Sequence, residues 1–225
     1  MNKQDALITS LYDLSRTAAG DYLSCFQYPW EALSGIKAFI LQTGAGLSPE
    51  EYDRLREDVW IHKTAKVSGS AYIGGPCIIG AGTEVRHCAF IRGSALIGKD
   101  CVVGNSTELK NVILFDKVQV PHYNYVGDSI LGYCSHMGAG SVTSNVKSDK
   151  RNIVIHFDRE ETETGLHKTG AFLGDYAEIG CGSVLNPGTV IGAHSNIYPL
   201  SSVRGTVNAG SIYKKQGEVV PKMSF

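Results

Sequence analysis

From Ile61 onward, aliphatic residues recur at every sixth position: Ile61, Val67, Ile73, Ile79, Val85, Ile91, Ile97, Val103 and Leu109. Four residues after each of the first eight stands a small side chain: Ala65, Ala71, Cys77, Thr83, Ala89, Ala95, Cys101 and Thr107. Glycine often follows the aliphatic residue, as at Gly74, Gly80, Gly98 and Gly104. A second run repeats the pattern through Leu173, Ile179, Leu185, Ile191, Ile197 and Val203. A period of six matches neither a helix, near 3.6, nor a lone strand, at 2. It predicts a triangular β-solenoid. Each hexad forms one short side, the aliphatic residue points inward, and the small residue fits beside a corner. Three hexads close a coil of roughly eighteen residues, and successive coils hydrogen-bond as parallel strands. A β-sandwich would predict a period of two and leave the spaced glycines unexplained.

The count slips in two places. The steps from Leu109 to Leu114 and from Val126 to Leu131 are five residues long, while Val120 and Val126 keep six and Met137 resumes the phase. These short steps bracket His122. The repeat is then absent from about Asn145 to Ala171, a polar and charged stretch with one apolar run, Ile153-Val154-Ile155-His156-Phe157. We read 146–170 as an excursion from a solenoid corner, with a small hairpin turning near Asp158-Arg159-Glu160. Long excursions of this kind are where function tends to sit.

Residues 1–57 follow a different grammar and predict a small helical cap on the end of the solenoid, leaving 58–225 for the solenoid itself. Apolar residues at helical spacing run through Ala6–Leu23. Pro29 suits a first helical turn, Ala32, Ile36, Phe39 and Ile40 form an apolar stripe, and Gly44 suits a stop. Ser48 followed by Pro49 and acids predicts a further short capped helix. A cap is expected because a terminal coil exposes apolar surface and unpaired strand edges.

Composition narrows the function classes. The 21 basic and 22 acidic residues leave a formal charge of −1, which argues against nucleic acid or an anionic membrane as a bulk partner. No apolar stretch is long enough to span a bilayer, and the first residues lack a signal-peptide pattern, so a cytoplasmic location is expected. Six cysteines occur without a CxxC pair, and Cys77, Cys101 and Cys88 read as reduced packing residues. No His/Cys/Asp spacing points to a catalytic metal.

The chemistry lies in residues that break the hexad. Arg92 and Lys110 occupy the position where glycine usually follows the aliphatic residue, and they are eighteen residues apart. That spacing stacks them on successive coils, roughly 5 Å apart. Stacked cations repel unless an anion lies between them, which favours a phosphate. His87 stands near Arg92 in this reading. His122 has the side chain best suited to a general base near neutral pH. The bland readings are a solvated basic face and a packed corner ring.

The hexads resemble those of hexapeptide-repeat, left-handed parallel β-helix proteins. The stretch from Asn105 to Asn145 is similar to one family among them, the acetyltransferase domain of bifunctional enzymes that acetylate glucosamine 1-phosphate and then uridylylate it. The matching positions are Arg92, Lys110, His122, Tyr125, Gly127, Asp128, Gly138, Ala139, Gly140 and Asn145, and the likeness covers about 60–215 apart from the excursion. Tyr28–Leu33 also resembles the segment that joins nucleotidyltransferase domains to solenoids in related sugar-nucleotide enzymes.

The resemblance implies an acetyl-CoA-dependent acyltransferase acting on an amino sugar phosphate or a nucleotide sugar, assembled as a homotrimer. It implies His122 as general base and the Ala139 amide as oxyanion donor. Arg92 and Lys110 would hold the acceptor's phosphate, Tyr125 and Asn145 its sugar, and Cys181, Pro199 and Lys214 coenzyme A. Asp128 is our own candidate to orient the His122 ring. The chain departs from the family at His136, where a second sugar-binding asparagine is expected, and in the excursion that replaces a short coenzyme loop. A uridylyltransferase domain is missing from the sequence. The rival expectations are a sugar-nucleotide-binding or regulatory solenoid related to UDP-N-acetylglucosamine pyrophosphorylases, and a scaffold that only trimerises a partner.

Overall fold

The computed structural model describes residues 1–222. Its body is a β-solenoid with three sides. Strands Val59–His62, Cys77–Ile79, Ala95–Ile97, Ala171–Leu173, Thr189–Ile191 and Thr206–Val207 lie on the first side. The second side runs from Lys66–Val67 through Glu84–Val85, Val102–Asn105, Gln119–His122, His136–Met137, Glu178–Ile179 and Asn196–Ile197 to Ser211–Lys215. The third carries Tyr72–Ile73, Phe90–Ile91, Val142–Thr143, Val184–Leu185 and Ser202–Val203. Every coil-to-coil pairing is parallel, with Ile61 opposite Ile79, Ile79 opposite Ile97, and Val85 opposite Val103. The hexad aliphatics therefore stack into columns inside the prism, where Ile79, Ile91, Ile97, Val103 and Leu109 are fully buried.

The small positions fill the corners. Their hydroxyls do more than save space. Thr83 Oγ1 donates to the Gly98 carbonyl at 2.7 Å and accepts from the Cys101 amide at 3.0 Å, tying one coil to the next. Cys77 and Cys101 are buried as expected, and burial pushes the Cys101 thiol up to about 12. Cys88 does not pack inward. It is exposed at a corner, in a left-handed backbone conformation with φ 58°.

The five-residue steps have a structural cause. Glu108–Leu114 and Tyr125–Leu131 are single seven-residue strands that run from the third side onto the first without a break. One residue is saved at each corner, and Asn111 (φ 55°) and Asp128 (φ 50°) take the left-handed conformation there. These two continuous strands fuse the first and third sides into one fourteen-stranded sheet beside the nine-stranded second side.

The N-terminal segment corrects the expected cap. It lies along the first side instead of across the end. The helix Ile36–Ala45 packs on Cys77–Ile79, Ala95–Ile97 and Glu108–Leu114, and the 3-10 turn Pro29–Gly35 packs on Tyr125–Leu131. Further along, the Tyr12 ring meets Phe115 at 5.1 Å, Trp30 meets Phe172 at 6.0 Å, and the Asp175 amide donates to the Leu11 carbonyl at 2.9 Å. The reason is an outward apolar strip. Ile78, Leu96, Ile113, Ile130, Phe172 and Val190 alternate with the inward residues, yet each is at most 3% exposed. In the sequence each precedes an inward aliphatic, so every third hexad carries an apolar pair. Single-sided strands alternate apolar with polar, whereas strands buried on both faces read as continuous apolar runs.

Two further expectations change. Gly44 does not end its helix, which continues to Ala45. A Cβ at Gly44 would fall 2.4 Å from the Trp60 ring, so the glycine admits close contact between helix and first coil. The stretch after Ser48 is a turn leading into a strand, Tyr52–Arg56, antiparallel to Val59–His62. It occupies the free hydrogen-bonding edge of the first coil, a demand that outweighs local helix signals. At the other end Glu218–Pro221 pairs antiparallel with Ser211–Lys215. The excursion holds the expected hairpin, with Val154 opposite Glu163, His156 opposite Glu161, and the Phe157 amide bonded to the Glu160 carbonyl across the turn. No helix among the described residues is long and apolar enough to cross a membrane, which leaves strands out of account.

Phe172 is fully buried between the coils and the N-terminal segment. Phe172→Ala should lower unfolding stability by about 3–5 kcal/mol, the range for deleting a buried aromatic ring. A urea titration checks this, and a loss below about 1 kcal/mol would mean that the segment does not clamp the first side.

Candidate functional site

Parallel stacking carries each corner residue onto its counterpart in the next coil, so site residues fall into columns. At the corner between the second and third sides, His122 pairs with Asn105 of the preceding coil. The Gly140 amide then donates to the His122 carbonyl at 2.9 Å, Gly182 to Ala139 at 2.8 Å, and Leu200 to Cys181 at 2.8 Å. His122, Ala139, Cys181 and Pro199 consequently occupy one edge of the prism in successive coils. Lys214 is set one position back from that column, following Tyr213, which pairs with Ile197. Its ammonium group pairs with Glu218 at 3.2 Å.

His122 is exposed, and its ring has no hydrogen-bond partner among the described residues. Its backbone is firmly held. The His122 amide donates to Asn124 Oδ1 at 3.0 Å, and Asn124 Nδ2 donates to the carbonyls of Gly138 (2.9 Å) and Ser141 (3.1 Å). Asn124 is 2% exposed. It locks the histidine corner to the Gly138–Ser141 turn that presents the Ala139 amide. The sequence reading missed Asn124, although it stands four residues after Val120, where the hexad normally places something smaller.

The second cluster occupies the corner between the third and first sides. Arg92 and Lys110 do stack: the Arg92 amide donates to the Leu109 carbonyl at 2.8 Å, which places the two residues side by side on adjacent coils. Their charges are met by the chain's own acids. Arg92 Nη1 donates to Glu108 Oε1 at 2.8 Å, and this carboxylate beside it raises the guanidinium pKa. Lys110 Nζ reaches Asp128 Oδ1 at 2.8 Å and Oδ2 at 3.1 Å. Asp128 is 3% exposed and also accepts from Asn111 Nδ2 (3.0 Å) and Asn145 Nδ2 (2.6 Å). Tyr125 lies over Gly127, where its hydroxyl oxygen accepts from Asn145 Nδ2 at 3.1 Å. Burial, then the carboxylates of Asp128 and Glu108, raise its phenol pKa, so at neutral pH the hydroxyl keeps a proton to donate.

Two expectations are corrected, and His136 stands apart within the single chain. Asp128 does not orient His122; it is committed to Lys110, Asn111 and Asn145. His87 shares the histidine edge and not the Arg92 corner, because the Asn105 side chain and the Ser106 amide donate to its carbonyl. His136 opens the second side beside Gln119, and its Nδ1 meets Glu178 Oε2 at 2.9 Å. There it lines a depression of about 420 Å³ with Lys117, Cys134 and Glu178, away from Lys110, Tyr125 and Asn145. Within one chain the structure joins Arg92, Lys110, Tyr125 and Asn145 in one cluster, and His122, Ala139, Cys181 and Pro199 along one edge. The two flank the same side, separated by the strand residues Tyr125–Gly127 and hence by roughly 10 Å. Glu108 and Asn111 also belong to the cluster and were not singled out from sequence. The pattern of acid, aliphatic and lysine at 108–110 followed by an amide is their only trace.

Asp128 is the hub of this arrangement, since it satisfies one ammonium and two amides from a buried position. Asp128→Asn keeps a side chain that tolerates the left-handed backbone but removes the charge. It should destabilise the fold by about 1–3 kcal/mol, the cost of leaving a partly buried donor with a weakened acceptor. A midpoint shift in urea at unchanged slope measures it, and an unshifted midpoint would show that the hub carries no stability.

Sequence comparison with known proteins agrees with a hexapeptide-repeat solenoid. The family model described as the GMPPB C-terminal domain matches residues 75–155. A bifunctional sugar-1-phosphate nucleotidylyltransferase/acetyltransferase of Sulfurisphaera tokodaii is 30% identical over 105 residues, covering 47% of this chain and 26% of that protein. The bifunctional protein GlmU of Methanococcus maripaludis is 30% identical over 114 residues, covering 50% of this chain and 28% of its own length. This chain thus spans only about a quarter of those relatives. Among solved structures, a hexapeptide transferase family protein from Anaplasma phagocytophilum aligns with TM-score 0.40 and 16% identity over 73% of this chain and 78% of that one. The coils of this chain are a hexapeptide-repeat solenoid similar to those of GlmU-like sugar-phosphate proteins.

Proposed function

We propose that the chain is an acetyl-CoA-dependent acyltransferase whose acceptor is an amino sugar phosphate or a nucleotide sugar. The observation that carries this reading is the edge on which His122, Ala139, Cys181 and Pro199 follow one another, facing across one side the cluster of Lys110, Tyr125 and Asn145. On this reading a base, an oxyanion donor and a track for an extended thioester lie beside a polar cluster that takes the acceptor. The names of the relatives, which join sugar-1-phosphate chemistry to acetyl transfer, support the same substrate class.

The chemistry runs as a direct transfer. The acceptor's neutral amine attacks the thioester carbonyl while His122 takes its proton, a role that an exposed imidazole fills near neutral pH. Negative charge gathers on the carbonyl oxygen, where the Ala139 amide donates to it. The intermediate collapses by breaking the carbon–sulfur bond, and the protonated imidazole returns its proton to the departing thiolate. Arg92 and Lys110 hold the acceptor's phosphate, exchanging part of their contact with Glu108 and Asp128 for it. Tyr125 and Asn145 bind sugar hydroxyls. Coenzyme A lies along Cys181, Pro199 and Lys214, with a neighbouring copy of the chain closing the site in a homotrimer.

A second reading is a sugar-nucleotide-binding solenoid without turnover. Two features favour it: the His122 ring has no orienting partner among the described residues, and both cations are already paired. Thiol release from acetyl-CoA against a panel of amino sugar phosphates and nucleotide sugars separates the two. Turnover is expected with at least one acceptor. His122→Ala should lower it by about 10²- to 10⁴-fold, the usual contribution of a general base, without loss of coenzyme binding. Arg92→Ala should chiefly raise the acceptor KM. Acceptor binding by calorimetry without thiol release from any member of the panel would decide for the binding solenoid.

A further inference from the structure

The excursion folds back onto the two coils that follow it. Ile153 and Ile155 lie where a Cβ on Gly188 would have to go, and His156 lies against Gly205. Between the excursion and the corner of the third and first sides this leaves a cavity of about 370 Å³. Ser144, Asn186 and Arg204 line it from the solenoid, and Lys147, Ser148, Asp149 and His156 from the excursion, so one carboxylate shares the wall with the cations. It continues an edge already described. Lys110 pairs with Gly127, the Ser144 amide donates to the Leu185 carbonyl, and the Asn186 amide donates to the Val203 carbonyl. Lys110, Gly127, Ser144, Asn186 and Arg204 therefore follow one another, so Arg204 stands four coil steps, or roughly 19 Å, beyond Lys110.

The charges in this cavity differ from those at Lys110. Arg204 has no ion pair or side-chain hydrogen bond among the described residues, and neither do the hydroxyls of Ser144 and Ser148. Lys147 meets Asp149 at 3.3 Å, and His156 meets Glu161 at 2.9 Å. The Asn186 amide group is taken by Ser202 and the Val203 carbonyl, so it shapes the wall. An entering anion competes with Asp149 for Lys147 but with nothing for Arg204, whose guanidinium offers a planar fork to oxyanions. Two hydroxyl donors complete the set.

We propose that this cavity is a phosphate-binding site, separate from the Lys110–Asp128 cluster, that recognises the phosphoryl oxyanions of a phosphorylated ligand through Arg204 and Lys147. The site requires no acyl transfer at His122. Its test is calorimetric titration of the full chain carrying Arg92→Ala, which removes the more exposed of the two cations in the Lys110–Asp128 cluster and leaves Lys110 held by Asp128. Inorganic pyrophosphate should bind that protein, and adding Arg204→Gln should weaken binding by about 10- to 100-fold, the range for losing a charged hydrogen-bonding partner. Lys147→Gln, on a different element, should weaken binding in the same sense and guards against a local folding defect. Parallel titrations with UDP and with coenzyme A identify the source. Whichever loses affinity on Arg204→Gln supplies the phosphate. Failure of all three probes to bind the Arg92→Ala protein, or binding indifferent to both Arg204→Gln and Lys147→Gln, overturns the proposal.

Discussion

The parallel register between coils governs this molecule. Once Ile61, Ile79 and Ile97 are stacked through strand hydrogen bonds, every other position of the hexad is carried along the axis at the spacing of neighbouring strands, roughly 4.8 Å. A single residue type repeated at one hexad position becomes a column, and a single departure becomes a point on an edge. This is why His122 and Ala139, separated in the chain by a full coil, become neighbours on one edge. It is also why Arg92 and Lys110 cannot avoid each other. Like charges in adjacent coils must be compensated, and Glu108 and Asp128 do so, each from the coil that follows its cation's own.

The hexad was legible because two of its positions obey a rule over eight successive repeats, and burial acts on both. The inward aliphatic is selected by the apolar interior and the small residue by the corner. The N-terminal segment was not legible as a sheath for a related reason. Its destination is written in the solenoid, in Ile78, Leu96, Ile113, Ile130 and Phe172, and not in the segment. Its own helices are brief because they follow a strip that advances one coil at a time. Similarly, the strand after Ser48 obeys the open edge of the first coil more than its own acids and leucine.

The site divides along the same line. Residues whose placement follows from hexad position were legible in sequence: Arg92 and Lys110 were set side by side by their spacing, while the Ala139 turn was named only through the family resemblance. Residues whose role depends on side-chain direction were not. Asn124 turns inward to hold two corners together, and Asn111 turns toward Asp128. His136 points into a different side. A repeat tells which residues share a coil and an edge, but the partner a flexible side chain selects there depends on charges contributed by neighbouring coils.

The irregular stretch around His122 gains its meaning from the corners on either side. Each five-residue step removes one residue where the third side meets the first. The left-handed position survives the shortening: Ser94 (φ 51°) holds it in the six-residue step of the preceding coil, and Asn111 and Asp128 hold it in the two short ones. The saved residue brings a carboxylate and an amide face to face across two coils and seats Lys110 between the coils and the excursion that begins at Asn145. The departure from the repeat thus builds the acidic hub at one end of the third side and leaves the histidine on the regular edge at the other. A side with a neutralised cluster at one margin and an imidazole without a partner among the described residues at the other is asymmetric in its polar groups. On the function proposed above, such asymmetry suits a transfer between two differently held substrates, whereas a uniform run of hexads would present the same surface on every coil.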